Sequence, residues 1–147
     1  MTETEFRIKY SELIEYYQFV EMRLKGICAA LFEKEGKSWF EKLDDFENDP
    51  LGKMINKLKE YNNGLKKKII ADEDFQSLEI LRENRNYWCH KCFIDYGHVT
   101  FTRGKTYDER TVRRSVFADK INSDLQKAIE WDEYLTMIFR NLRDHIK

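Results

Sequence analysis

Large apolar residues recur every three or four positions at the start of the chain: Phe6, Tyr10, Leu13, Tyr17, Val20, Leu24, Ile27 and Leu31. At about 100° per residue this spacing collects them on one face and predicts a long amphipathic helix from about Glu5 to Glu33. Gly36 is the expected stop, because glycine tolerates the left-handed conformation in which helices end. A short helix follows, with Trp39, Phe40, Leu43 and Phe46 as its buried side. Asp49-Pro50 predicts a fresh start, with Asp49 as N-cap and Pro50 in the first helical position. That helix turns Leu51, Met54, Ile55 and Leu58 inward and ends near Asn62-Asn63-Gly64.

The rhythm resumes after the basic run Lys66-Lys67-Lys68. Asp72-Glu73-Asp74 supplies a capping residue and an acidic first turn, which suit the positive end of a helix dipole. Phe75, Leu78, Leu81, Tyr87 or Trp88, and Phe93 continue the spacing to about Tyr96-Gly97. Residues 98–115 break it. Val99 and Phe101 alternate with polar neighbours, and Arg103-Gly104-Lys105 signals a turn, so a loop or small hairpin is expected there. A last helix is predicted from about Phe117 to Ile146, with Ile121, Leu125, Ala128 or Ile129, Tyr134 or Leu135, Ile138 and Leu142 facing inward. The reading is an all-α, single-domain up-and-down helical bundle over residues 1–147. Its two longest helices are expected to pack antiparallel, with the helix that begins near Asp72 against them.

Composition narrows the alternatives. A chain of 147 residues fits one domain, and 21 aromatics (10 Phe, 8 Tyr, 3 Trp) are far more than a solvated coil carries. One Pro and six Gly are few for the sharp turns of a large all-β fold. No stretch approaches the roughly 18 apolar residues of a membrane span, and the N-terminus lacks an apolar signal core, so a cytoplasmic protein with no membrane partner is expected. Three cysteines are an odd count and too few for a disulfide scaffold, which agrees with a reducing compartment. Net charge is −1, but residues 1–50 hold 7 Lys/Arg against 12 Asp/Glu, and the remainder hold 19 against 15. That polarity is a weak pointer to an anionic partner, and ordinary helix-surface charge is the simpler explanation.

Three groups of residues could carry chemistry. Cys89-His90-Lys91-Cys92 is a C-x-x-C with a histidine inside it, but a tetrahedral zinc site would have only Cys28, His98 and His145 to complete it, and no second C-x-x-C exists. Redox C-x-x-C pairs sit at helix N-termini, where the dipole lowers the thiol pKa, whereas this pair is expected deep inside a helix. It reads as two small semi-buried thiols, and no metal or cofactor is expected. The second group is the basic stretch Arg103, Lys105, Arg110, Arg113 and Arg114, a cationic loop of the kind that follows a phosphate backbone without reading bases. The third is Arg82-Glu83-Asn84-Arg85-Asn86-Tyr87-Trp88-Cys89-His90. Asn86 and His90 are four apart and share a helical face. Arg85 is turned about 140° from His90, so its long side chain, a local distortion or a second subunit must close the gap. The set combines a titratable imidazole, a guanidinium suited to phosphate and an amide that orients either one. Taken alone it is also what a structural histidine beside a surface arginine looks like.

The run Arg85-Asn86-Tyr87-Trp88-Cys89-His90 resembles the Arg-polar-x-x-x-His signature of the HEPN superfamily (higher eukaryotes and prokaryotes nucleotide-binding domains). The long opening helix and the Pro50-Leu51-Gly52-Lys53-Met54-Ile55 start are similar to one of its bacterial branches. The resemblance covers most of the chain, and the six-residue motif is its diagnostic part. It implies a metal-independent endoribonuclease that cleaves RNA by 2′-hydroxyl transesterification, as a toxin or phage-defence effector. It implies catalytic roles for His90 as general acid–base, Arg85 on the phosphate and Asn86 as orienting group. Arg82, Lys91, Arg103, Lys105, Arg113 and Arg114 would then be RNA contacts. It also implies a homodimer with two motifs facing each other, and an antitoxin or operon-linked protein as a further partner. One toxin branch carries a Tyr two residues after the motif His as a target for its antitoxin; this chain has Cys92 there, so that regulation is not carried over. Other members of the family have lost catalysis and serve as helical interaction or dimerisation modules, which is the alternative.

Overall fold

The long amphipathic stretches all form helices. The computed structural model describes residues 1–32, 36–92 and 107–142 (backbone alone at residues 3 and 107–115), and these described residues hold five helices and no strand. Helix α1 is Glu3–Leu31, and a capping box sets its start: Glu5 N–H donates to Thr2 Oγ1 at 3.1 Å and Thr2 N–H donates to Glu5 Oε2 at 2.7 Å. Gly36, at φ 75°, adopts the left-handed conformation expected of it before α2, Trp39–Asp44, begins.

Helix α2 is too short to bury the whole of its expected inner side. Trp39 donates its indole N–H to Gly26 O at 3.0 Å, and the neighbouring Phe40 is consequently turned outward, 73% exposed. Phe46 alone of the four is fully buried. Helix α3 is Leu51–Asn63, with Pro50 in the N-cap position; Asp49 accepts from Lys53 and Lys57 instead of capping the helix. Helix α4 is Asp72–His90, so it stops short of Phe93. The residue before it, Ala71, takes the N-cap place, and the three acids form the first turn.

The last helix, α5, is Tyr107–Leu142. Residues 107–115, expected in a loop, are therefore helical. Asp108 and Glu109 are acids where a first turn favours them, and no Gly or Pro interrupts the chain from there to Leu142. The rest of the expected loop (98–106), Phe93, Tyr96, Gly97 and residues 143–146 lie outside the described residues.

Phe6, Leu13, Tyr17, Val20, Leu24 and Ile27 of α1 are buried with Ile121, Leu125, Ala128, Leu135 and Ile138 of α5. The two long helices do not run antiparallel, as expected, but parallel. Phe6 meets Phe117 with ring centroids 6.4 Å apart, Arg23 bonds Asp132 at 3.4 Å, and Phe139 lies over Gly26, so residue numbers rise together. The reason is α4. Its Asp74 accepts from the Tyr134 hydroxyl and its Asn84 donates to Asp124, which makes α4 antiparallel to α5. Nineteen residues at about 1.5 Å each carry the chain back roughly 28 Å, and α5 then sets out from the end where α1 began. The bundle alternates up, down and up through α1, α4 and α5.

Leu24 is fully enclosed in the α1–α5 seam. Leu24→Ala should lower the unfolding free energy by about 2–5 kcal/mol, read as a lower urea midpoint at unchanged slope. Burial also pushes the Cys28 thiol from 9.0 up to about 12. The folded chain keeps that proton while the unfolded chain gives it up, so this contribution is complete below about pH 9 and is lost as the pH climbs towards 12. Urea titrations across that window should show wild type losing stability more steeply than Cys28→Ala.

Candidate functional site

Asp124 lies in register with Ile121 and Ala128 on the inner side of α5 and is only 4% exposed. A carboxylate in such a place must be paired or pay several kcal/mol. Its Oδ2 accepts from Trp88 Nε1 at 2.8 Å and from Lys120 Nζ at 3.0 Å, and its Oδ1 accepts from Asn84 Nδ2 at 3.3 Å. The Lys120 ammonium also sits over the Tyr87 ring, 4.9 Å from its centroid. Asn84 and Trp88 are four apart, so one carboxylate grips one face of α4. The Tyr17 hydroxyl is buried close by, with no hydrogen-bond partner among the described residues. Burial, and then the charge of Asp124, push its ionisation well above the ordinary tyrosine range.

The end of α4 is tied to α1 as well. Trp88 O, in the last turn, accepts from the Tyr10 hydroxyl at 3.2 Å and from Cys92 Sγ at 2.9 Å. Side chains thus satisfy a carbonyl that the helix itself leaves open.

With Trp88 held inward, helical geometry sends Asn86 and His90 outward, each about 200° away from it. His90 is exposed and Asn86 half-buried. Arg85 is only about 60° from Trp88, so its stem is half-buried, but its Nη1 donates to Asn86 Oδ1 at 3.3 Å. That bond bends the guanidinium towards the face that carries His90. Arg82 lies across α3 at Gly52, where an added Cβ would come within 3.1 Å of Arg82 Cδ. Its Nε donates to Glu79 at 2.8 Å, so its charge is already engaged. Lys91 is exposed at the residue after α4. Arg103 and Lys105 lie outside the described residues; Arg113 and Arg114 fall within the backbone of α5, with side chains outside them.

The C-x-x-C does not lie deep in a helix, as expected. Cys89 is in the last turn of α4, exposed, and Cys92 lies beyond the helix end and is buried. Among the described residues no three His, Cys, Asp or Glu side chains converge as metal ligands would. A cavity of about 350 Å³ opens between α4 and α5 beside Ile80, Trp131 and Tyr134, towards the end of α4 remote from His90. His90 makes no hydrogen bond among the described residues. An imidazole open to solvent, a guanidinium and an amide on one short stretch form a surface suited to an anionic group.

Asp124 and Lys120, which orient this stretch, were not among the residues singled out from the sequence, and Asn84 was named only as part of the Arg82–His90 run. The available signal was an acid standing in the apolar register of α5. Among the described residues no helix is long and apolar enough to cross a membrane. Comparison with known proteins gives no matching family model, no matching curated protein and no matching solved structure.

Asp124→Ala should cost about 1–3 kcal/mol in urea unfolding, because it strips the acceptor from a buried indole N–H, while the partly exposed Lys120 ammonium turns to solvent. Exposed His90→Ala should stay within about 0.5 kcal/mol of wild type. A comparable loss for both would mean that His90 is part of the packing.

Proposed function

We propose that the chain is a HEPN-type, metal-independent endoribonuclease that acts as a cytoplasmic homodimer, in the manner of a toxin or defence effector. The observation that carries this reading is His90: it is exposed, unengaged among the described residues, and on the same stretch of α4 as an Arg85 guanidinium drawn towards it by Asn86. A histidine kept only for packing would be buried with its nitrogens satisfied.

In this reading the 2′-hydroxyl of RNA attacks the adjacent phosphorus, leaving a 2′,3′-cyclic phosphate and a 5′-hydroxyl. His90 takes the proton from the nucleophile or delivers one to the leaving oxygen. Two copies facing each other would provide one imidazole for each transfer. Arg85 holds the phosphate and offsets the charge that gathers on its equatorial oxygens, a role suited to a planar donor fork. Asn86 holds Arg85 and shares a helical face with His90. Lys91 contacts a flanking phosphate, Arg82 would have to leave Glu79 to contact another, and Arg103, Lys105, Arg113 and Arg114 would be further RNA contacts. An antitoxin or operon-linked protein would be the partner that restrains the enzyme. The second reading, a non-catalytic helical interaction module, is favoured by the exposed apolar side chains Phe40, Ile80 and Met137, which a partner protein would cover.

Purified protein should cleave single-stranded RNA in the presence of EDTA and spare DNA, which lacks the nucleophile. His90→Ala and Arg85→Ala should each slow cleavage by about a hundredfold or more, and Arg85→Lys should not rescue it. Light scattering should give about twice 17.9 kDa. If wild type and His90→Ala are equally inert on a broad RNA pool, the interaction module takes the place of the nuclease.

A further inference from the structure

Two cysteines bracket the exposed histidine, and neither the packing of the core nor the proposed RNA chemistry calls for both. Inside an unbroken helix they would be poor partners. Residues three apart there hold their Cβ atoms roughly 5–6 Å apart, and a disulfide needs about 3.5–4.5 Å. That constraint is broken at one residue here: α4 ends at His90, and Lys91, at φ −121° and ψ −25°, departs from helical dihedrals between the two thiols.

Their surroundings are unequal. Cys89 is exposed, whereas Cys92 is 1% exposed and its Sγ donates to Trp88 O at 2.9 Å. Trp88 directly precedes Cys89, so the buried thiol is held against the turn from which the exposed one projects. The Trp88 carbonyl that holds Cys92 also accepts from the Tyr10 hydroxyl at 3.2 Å, so the buried thiol sits at the junction of α1 and the end of α4. The third cysteine, Cys28, is buried between α1 and α3 with its Sγ 3.9 Å from Met54 O.

We propose that Cys89 and Cys92 form a reversible redox pair, in which Cys89 reacts first with a small-molecule disulfide, Cys92 resolves the product, and the bridge so formed switches off the site at His90. The Cys89 thiolate attacks one sulfur of R–S–S–R and displaces R–S⁻. Cys92 is then exposed by fraying of the turn at Lys91. Its thiolate attacks Cys89 Sγ in the mixed disulfide and displaces the second R–S⁻. The protons lost by the two cysteines are taken up by the two departing thiolates. Two electrons pass from the cysteine pair to R–S–S–R, which leaves as two R–SH. Unequal exposure fixes the order, since an accessible thiol beside a resolving partner is the arrangement that senses oxidants. The bridge removes Cys92 from Trp88 O and tightens the chain around His90 and Lys91, turning the imidazole away from Asn86. The effect on catalysis rests on the ribonuclease reading; the thiol chemistry does not.

The test equilibrates the full chain in mixtures of oxidised and reduced glutathione, quenches with acid, then denatures, alkylates and counts thiols by mass. At oxidising ratios two of the three thiols should disappear together within a single chain. Cys92→Ser should halt at a glutathione adduct on Cys89, and Cys28→Ala should oxidise as wild type does. Cys89→Ser, a change at an exposed position that leaves the core intact, should remain fully reduced. RNA cleavage by the oxidised form should fall by about a hundredfold, the scale for a displaced catalytic group, and return with dithiothreitol. Three alkylatable thiols at every ratio, or a wild-type glutathione adduct that never resolves, would overturn the pair. Pairing with unchanged cleavage would overturn the switch. Pairing with no cleavage in either state would sink the ribonuclease reading and leave the redox pair standing.

Discussion

The Asp124 carboxylate holds three donors, the Trp88 indole, the Asn84 amide and the Lys120 ammonium, at a place that water barely reaches. Rotating α4 by even one residue would carry Asn84 and Trp88 away and leave a buried charge short of partners, at a cost of several kcal/mol. Apolar packing alone does not discriminate so sharply, because Tyr87 and Trp88 are both large aromatics that a core could accept. The carboxylate chooses Trp88, and Tyr87 is left half-buried under the Lys120 ammonium. Everything on the outer face of α4 follows from that choice, including the exposure of His90 and Asn86.

The end of the same helix is a junction of three elements. Tyr10 from α1 and Cys92 from the chain beyond α4 both donate to Trp88 O. These bonds hold the last turn in place while the helix gives out at His90, so the histidine stands at the end of α4 rather than within it. A site placed there is cheap to expose and easy to disturb. Both properties suit the ribonuclease site and the redox pair proposed above, the second of which needs the chain to give way at one residue.

Much of the helix content was legible from the spacing of large apolar residues, because a period near 3.6 is a property of neighbours along the chain. The motif residues were legible too, as residue types; their spacing already required Arg85 to reach sideways. Errors arose where an element's fate depended on something distant. Helix α5 begins at Tyr107, in turns whose sequence is polar and compatible with helix but lacks the apolar period that a sequence reading registers. Phe40 is outside because Trp39 found Gly26 O first.

What the sequence by itself determined was local: which stretches are helical, which face of each is apolar, and that Arg85, Asn86 and His90 share one helix. The tertiary structure alone decided that α1 and α5 run parallel, that Asp124 sets the rotation of α4, and that the helix stops between Cys89 and Cys92. The physical reason is the range of the interactions. Helical hydrogen bonds join residues four apart and leave a periodic trace in the sequence. The partners of a buried carboxylate can lie 36 or 40 positions away, and only the packed chain brings them together.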